Sequence, residues 1–394
     1  MFALAAGCAP KQKPLTDYVN PLLGTATLWD SVDLGFKPTK RTWGAEVFPG
    51  SSLPNAMVQV SPVTKFHSGA GYQYEDSVIY GFTHTNKGHW NLCHIPLLPV
   101  TGTPTPGDYC SPFSHERESA APGYYQVFLD RYGVDAQLSS TLRCAFHKYT
   151  YPAGAAASLL ADLQRSNEHV RAWDIRKEGD NVFAGWQQTG EKMYFYAVAN
   201  RPVTGIEPVV EGDREVRIVR FGEGDGALEL RIGFSFVSEE NARKNLEAEM
   251  LGRSFAAVRS EATAVWNDLL GRIRVEGGTE REKGLFYSCL YRSFLWPALR
   301  SDVNGEFTDA DGEVVNTGFR YYTGPSYWDD YRNKLILLGL LAPDVAADVI
   351  SSDTDRGEKQ GGFMPTFFHG DHASAFVAGV YLRGIRGFDV RRAY

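Results

Sequence analysis

Between Tyr18 and Val237 apolar and polar side chains alternate in short runs, and the runs stop at Gly, Pro, Asn or Asp. Alternation with period two places successive side chains on opposite faces of a sheet, so each run predicts a strand and each stop a turn. Residues 56–60, 124–129, 192–198 and 228–236 are clear instances. No helical period alternates with these runs, which predicts one large antiparallel β-sandwich rather than a parallel sheet.

The period changes at Ser238. Residues 239–270 are rich in Ala, Glu, Arg, Lys and Leu at helical spacing, broken near Gly252, and predict a pair of connecting helices. After a break at 275–278, Phe286, Leu290 and Phe294 recur four apart on a further helix that stops at Trp296-Pro297. Residues 307–315 predict a hairpin around Asp311-Gly312. The next helix begins at Trp328 and continues through 335–341 to Pro343, another follows over 345–350, and a last one spans 372–382. Residues 353–359 read as an exposed polar loop. Helices joined by short loops predict the start of an α/α array, with too few members to close a barrel. The expected organisation is a leader remnant at 1–11, a sandwich at 12–238, linker helices at 239–274 and a partial helical domain at 275–394.

A chain of 394 residues exceeds one typical core, in keeping with two domains. The formal charge of −7 comes from 40 basic and 47 acidic side chains interspersed along the chain. A phosphate backbone needs a basic stripe, so nucleic acid is excluded as a partner. The first eight residues look like the end of a bacterial lipoprotein signal, in which small residues precede a cysteine that is lipidated after cleavage, although no basic region precedes them. Cys8 would then anchor an exported protein in the periplasm or at the outer membrane or cell surface. Cys93, Cys110, Cys144 and Cys289 show no metal spacing and read as buried small hydrophobes, with pairing of two of them open in an exported protein. The acidic run at 309–313 fits a hairpin turn better than a calcium loop.

The chemistry-bearing stretch is 321–332, which reads Tyr-Tyr-Thr-Gly-Pro-Ser-Tyr-Trp-Asp-Asp-Tyr-Arg. An aromatic face packs on the C–H face of a pyranose while neighbouring carboxylates accept hydroxyl protons, and acids at a helix start are favoured by its dipole. Residue types alone favour the plainer reading, a buried aromatic helix start capped by Asp329 or Asp330.

Several blocks, in order, give the chain a resemblance to the glycoside hydrolase family 92 exo-α-mannosidases. They are the Tyr-Val-Asn-Pro-Leu-Leu-Gly-Thr run at 18–25, the stretch 48–62, Gly-Tyr-Gln-Tyr at 71–74, residues 79–85, Pro-Gly-Tyr-Tyr at 122–125, Phe-His-Lys-Tyr at 146–149, Ser-Asp-Val-Asn-Gly at 301–305 and Trp-Asp-Asp-Tyr-Arg at 328–332. The resemblance implies a β-sandwich packed on an (α/α)6 catalytic barrel, a calcium-dependent inverting activity on terminal α-mannose, and a mannose-containing glycan as partner. It maps the family's tryptophan–aspartate pair onto Trp328 and Asp329, with Tyr331 and Arg332 in the same block. Asp330 stands where a Thr is usual, and either tunes recognition or faces solvent. Gly24, Thr25 and His84 are implied to face the same pocket, joined by His89 and Trp90 in a loop that departs from the family pattern and either touches the leaving sugar or packs between the domains. The catalytic acid and base and the Ca2+ ligands are implied to lie in motifs beyond Tyr394. Two readings compete with this: an acid/base pair within the chain, Asp329 with Asp371 or Asp330 with Asp353, and a non-catalytic carbohydrate-binding surface lipoprotein.

Overall fold

The structure is a computed structural model that describes residues 13–27, 35, 47–85, 92–364 and 370–394. Two antiparallel sheets dominate the N-terminal part. In the first, the strands lie in the spatial order Ser51–Ser52, Gln59–Val63, Gly81–Thr83, Leu97–Val100, Ser158–Ala161, Arg214–Phe221 and Val203–Glu211. In the second the order is Ala172–Gly179, Val182–Gln188, Lys192–Ala199, Leu228–Ser235, Cys144–Thr150, Val134–Ser140, Tyr124–Leu129 and Glu118–Ala121. Strand Lys192–Ala199 shows how the pattern sets the fold: Met193, Phe195, Ala197 and Ala199 are buried in the core, and the residues between them point to the other face. The sheets meet through residues such as Phe82, whose ring centroid lies 6.5 Å from Tyr125 and 6.3 Å from Tyr149 on the facing sheet.

The helical part follows as α1 (Glu239–Glu249), α2 (Phe255–Leu270), α3 (Glu280–Ser293), α4 (Tyr327–Asp330), α5 (Lys334–Leu341), α6 (Pro343–Lys359), α7 (His372–Leu382) and α8 (Val390–Ala393). Ser238, Ser254 and Asp371 accept backbone N–H bonds at the starts of α1, α2 and α7, and Thr279 with Glu282 forms a capping box on α3. Helices α1 and α2 cover the outer face of the second sheet, where Leu246, Met250, Phe255 and Val258 pack with Tyr124, Cys144 and Phe146. Gly233 makes that approach possible, because a Cβ there would lie 2.1 Å from the Ala242 carbonyl oxygen. No helix among the described residues is long and apolar enough to cross a membrane.

Two expectations need correction. The helix from Trp328 to Leu341 is interrupted at 331–333, where Asn333 accepts from the Lys334 N–H and restarts it as α5. Residues 353–359 are the last turns of α6, and Asp353, Thr354, Asp355 and Gly357 are buried there. Ala346, Val349, Ile350, Asp353 and Gly357 recur at helical spacing, so the polar residues at the end occupy the inner face of one long helix. Among the described cysteines Cys93 and Cys144 are buried as expected, whereas Cys110 is half-buried and Cys289 exposed, and no disulfide joins any of the four.

The sandwich and the helices are joined by polar bonds rather than apolar contact alone. Asn55 donates to the Pro297 carbonyl (2.8 Å) and Gln59 to that of Leu295 (2.9 Å). Trp266 donates to Ser52 O (2.7 Å), and Arg143 to Ser301 O (2.8 Å). Asp302 accepts from Ser235 (2.6 Å), Asn241 (2.9 Å) and Asn245 (2.6 Å), linking the last sandwich strand, α1 and the segment after α3. The stretches around Asn55 and Asp302 stood out in the sequence, and the structure gives them a bracing role.

Candidate functional site

The segment before α4 is held on both sides. Thr323 N–H bonds Ala298 O (2.9 Å) and Thr323 Oγ1 accepts from Ala298 N–H (3.0 Å). Trp296 Nε1 donates to Gly324 O (3.2 Å), and Tyr322 N–H donates to Ser352 Oγ on α6 (3.0 Å). Beneath α4, buried Asp353 accepts from the Tyr327 hydroxyl and from the Arg356 guanidinium. Arg356 also donates to Tyr322 O (2.7 Å), and its charge lies 5.0 Å from the Tyr321 ring, itself stacked on Phe307 at 3.8 Å. Burial opposes the Arg356 charge, but the Asp353 carboxylate outweighs it and raises the arginine's pKa. This network fixes the turn from below and leaves its top to solvent.

The top carries Trp328, 47% exposed, and the exposed Asp329. Asp329 accepts from the Ser326 hydroxyl, which orients the carboxylate without covering it. Asp330, next in sequence, turns inward: it is buried and pairs with Lys334 at 2.7 Å. Burial raises its carboxyl pKa, Lys334 opposes that shift, and the Asp329 charge adds to it. Of the two roles open to Asp330, facing solvent is therefore wrong. Tyr331 is half-buried and stacked on His372 at 4.4 Å, while Arg332 is exposed with its guanidinium 5.2 Å from the Tyr331 ring.

The sandwich contributes less directly than the sequence suggests. Gly24 takes φ 86°, a conformation that favours glycine. Buried Thr25 donates its hydroxyl back to Leu22 O (2.7 Å), which closes the turn. Arg292 of α3 holds the same loop through Pro21 O (2.7 Å) and Leu23 O, and burial pushes its pKa down to about 10. The loop thus sits against the helical part, with Thr25 serving its own turn.

His84 is fully buried inside the sandwich, which corrects its placement in the pocket. Its Nδ1 bonds Ile95 O (2.9 Å), so that nitrogen carries the proton, and its Nε2 accepts from His147 Nε2 (3.0 Å). His147 Nδ1 then accepts from the Tyr149 hydroxyl (2.5 Å), and the chain of bonds is satisfied with every member neutral. Burial lowers the pKa of His84 to about 3 and pushes that of His147 well down. His89, Trp90 and Cys8 lie outside the described residues.

Arg300 is the residue sequence reading missed. Buried at the junction, it lies 4.0 Å from the Phe236 ring, pairs with Glu191 at 3.4 Å, and donates its backbone N–H to Tyr321 O (2.7 Å). Met57, Gln59 and Thr85 of the sandwich face Trp296, Ala298 and Arg300 across a narrow crevice there. A lone arginine beside a Ser-Asp motif gives no periodic signal, so only the fold reveals it.

Neither acid/base pairing within the chain looks built for proton transfer. Asp353 is locked by Arg356 and Tyr327, and Asp330 by Lys334. Asp371 caps α7, and the Ser374 hydroxyl and N–H hold its pKa below the usual range. A general acid needs a raised pKa together with access to the leaving oxygen: Asp330 and Asp353 are raised but buried and paired, and Asp371 is exposed but lowered. Among the described residues no three His, Cys, Asp or Glu side chains come together as a metal site.

Residues 18–243 match the description Glycosyl hydrolase family 92 N-terminal domain, and residues 241–394 match Glycosyl hydrolase family 92 catalytic domain. Among solved structures, a family GH92 α-mannosidase of Bacteroides thetaiotaomicron superposes with TM-score 0.88 at 26% identity, covering 97% of this chain and 56% of that one. The same enzyme has been solved with mannoimidazole bound, again at TM-score 0.88. An inverting family GH92 mannosidase from the same organism gives TM-score 0.81 at 25% identity, covering 98% of this chain and 55% of the other. A curated relative from Arthroderma benhamiae, described as an uncharacterized secreted glycosidase, is 25% identical over 344 residues, 73% of this chain and 42% of its own length. The chain therefore spans about half the length of the relatives it matches.

Proposed function

The chain belongs to glycosyl hydrolase family 92, and from that premise we propose that it contributes the sandwich and a mannose-holding turn to an inverting exo-α-mannosidase acting on terminal α-mannose of glycans. The observation that carries the proposal is the exposed pair Trp328 and Asp329 on a turn braced from below by Tyr327, Asp353 and Arg356. A flat indole beside a solvent-facing carboxylate suits a pyranose, because the ring stacks on C–H bonds while the carboxylate accepts hydroxyl protons. A solved relative with mannoimidazole bound and another named an inverting mannosidase support the sugar and the stereochemistry.

Inversion needs a carboxylic acid on the leaving oxygen and a carboxylate base on water, roughly 6.5–9.5 Å apart. Asp330, Asp353 and Asp371 are engaged elsewhere, so the acid and base are groups other than these. What the chain's own residues do is bind and orient: Asp329 fixes hydroxyls, Trp328 fixes the ring plane, and the network below keeps both in register. The Ca2+ of the family resemblance wants six to eight oxygen ligands. Among the described residues no three His, Cys, Asp or Glu side chains converge to begin such a set.

The secreted fungal relative supports export, and we extend the proposal to a lipid anchor at Cys8. Cys8→Ser should move the protein from the membrane to the soluble fraction of a bacterial host; unchanged partitioning would remove the anchor from the account. The function itself is tested by calorimetric titration of mannose into the wild type and Asp329→Asn. Binding that weakens at least about tenfold supports the assignment, in line with the worth of a hydrogen bond to a charged group, and equal binding contradicts it.

A further inference from the structure

The sandwich carries a second concave surface, outside the candidate mannose site. Two chambers of about 530 and 660 Å³ adjoin each other and share His67 and Arg165 as a common wall. Lys65, Phe66, Glu75, Asp76 and Tyr80 line the first, and Glu168, His169, Arg171, Trp173 and Asp213 the second. Each lies within the size range of a small-molecule site.

The shared wall is held rigidly. The Arg165 guanidinium sits 5.3 Å from the ring centroids of both Phe66 and Tyr80 and donates to the Tyr109 hydroxyl (3.3 Å). His67 takes φ 61°, which is uncommon for a residue with a side chain, and is pinned there by Asn167, whose Oδ1 accepts its N–H at 2.7 Å. The Asn167 carbonyl meets His67 Nδ1 at 3.2 Å, which assigns the proton to Nδ1 and leaves Nε2 as an acceptor.

The charge of the surface decides what it fits. The lining mixes Lys65, Arg165, Arg171 and Arg214 with Glu75, Asp76, Glu168 and Asp213, and Arg165 and Arg214 also pair with the buried Asp162 carboxylate, so the cleft has no basic excess to draw an anion and its acids share the lining with cations. Planar donors and acceptors set among aromatic rings suit a ligand with many hydroxyls and an apolar ring face. The cleft also leads towards the junction: Glu168 accepts from Gly190 N–H (3.3 Å), and the next residue, Glu191, pairs with Arg300 (3.4 Å).

We propose that this cleft binds a neutral oligosaccharide, as a glycan-binding site separate from the Trp328–Asp329 turn; that the sugar is mannose rests on the proposed function. The test is calorimetric titration of an α-linked mannotetraose into the Asp329→Asn protein, with and without His67→Gly and Trp173→Ala together. Glycine suits the backbone at 67, and circular dichroism with thermal melting confirms that the variants fold. The expected result is saturable binding in the Asp329→Asn protein that weakens about tenfold or more in the cleft variant. Absence of oligosaccharide binding in the Asp329→Asn protein, or binding unchanged by the cleft substitutions, overturns the inference while leaving the Trp328–Asp329 assignment untouched. Cleft-dependent binding of maltotetraose in place of mannotetraose upholds the cleft and contradicts mannose as the protein's sugar.

Discussion

Asp329 and Asp330 are adjacent in the chain and differ in environment: one faces solvent beside Trp328, and the other is buried against Lys334. The difference predicts separable effects. Asp329→Asn should weaken mannose binding yet leave the melting temperature nearly unchanged, since an exposed substitution away from packing usually shifts stability by no more than about 0.5 kcal/mol. Asp353→Ala should do the reverse of the second part. It strands the buried Arg356 charge and the Tyr327 hydroxyl, and loss of one partner of a buried pair costs about 3–5 kcal/mol, which chemical denaturation would register. A denaturation midpoint equal to wild type would show that the Asp353 network does not brace α4. The Trp328–Asp329 motif was legible in the sequence because aromatic and acidic residue types declare themselves. Arg300, Asp353 and Arg356 were not, since their roles come from partners distant in the chain or from a helix face mistaken for a loop.

At the level of elements, strands were read more securely than helices. Alternation in Lys192–Ala199 reports burial directly, whereas the interruption at 331–333 depends on Asn333 capping a new helix, a local choice that apolar spacing across 328–341 does not reveal. The placement of His84 came from the resemblance alone, and the structure sets it just past strand Gly81–Thr83 with both ring nitrogens satisfied inside the sandwich. Those buried histidines give the sandwich a pH dependence. His84 and the neighbouring His94, which is also fully buried with its ring bonded to Thr85 and Thr189, have folded pKa values of about 3 and about 4, below the ordinary 6.5, because burial disfavours the charged ring. The unfolded chain then binds protons first as pH falls, so their contribution is complete above about 6.5 and is lost progressively towards 4 and 3. Denaturant midpoints measured from pH 7.5 down to 4.5 should decrease, and a flat profile would contradict neutral burial of these rings.

On the scale of the whole molecule, two modules meet through bonds made by Asn55, Gln59, Arg143 and Asp302, and the candidate turn stands beside that seam. The two-part architecture was legible because the period of the pattern switches at Ser238, and the helix at Glu239–Glu249 begins there. Asp371 caps α7 through the Ser374 N–H and hydroxyl, so Asp371→Ala is expected to lower the denaturation midpoint, by an amount worth about 1 kcal/mol for a lost cap, while leaving mannose affinity unchanged. Loss of mannose binding at an unchanged midpoint would contradict a purely structural role for Asp371. The most direct test of the central claim is a crystal structure with mannoimidazole bound. The account predicts the sugar ring stacked on Trp328 with a hydroxyl bonded to the Asp329 carboxylate, and a ligand seated elsewhere with both side chains untouched would contradict it.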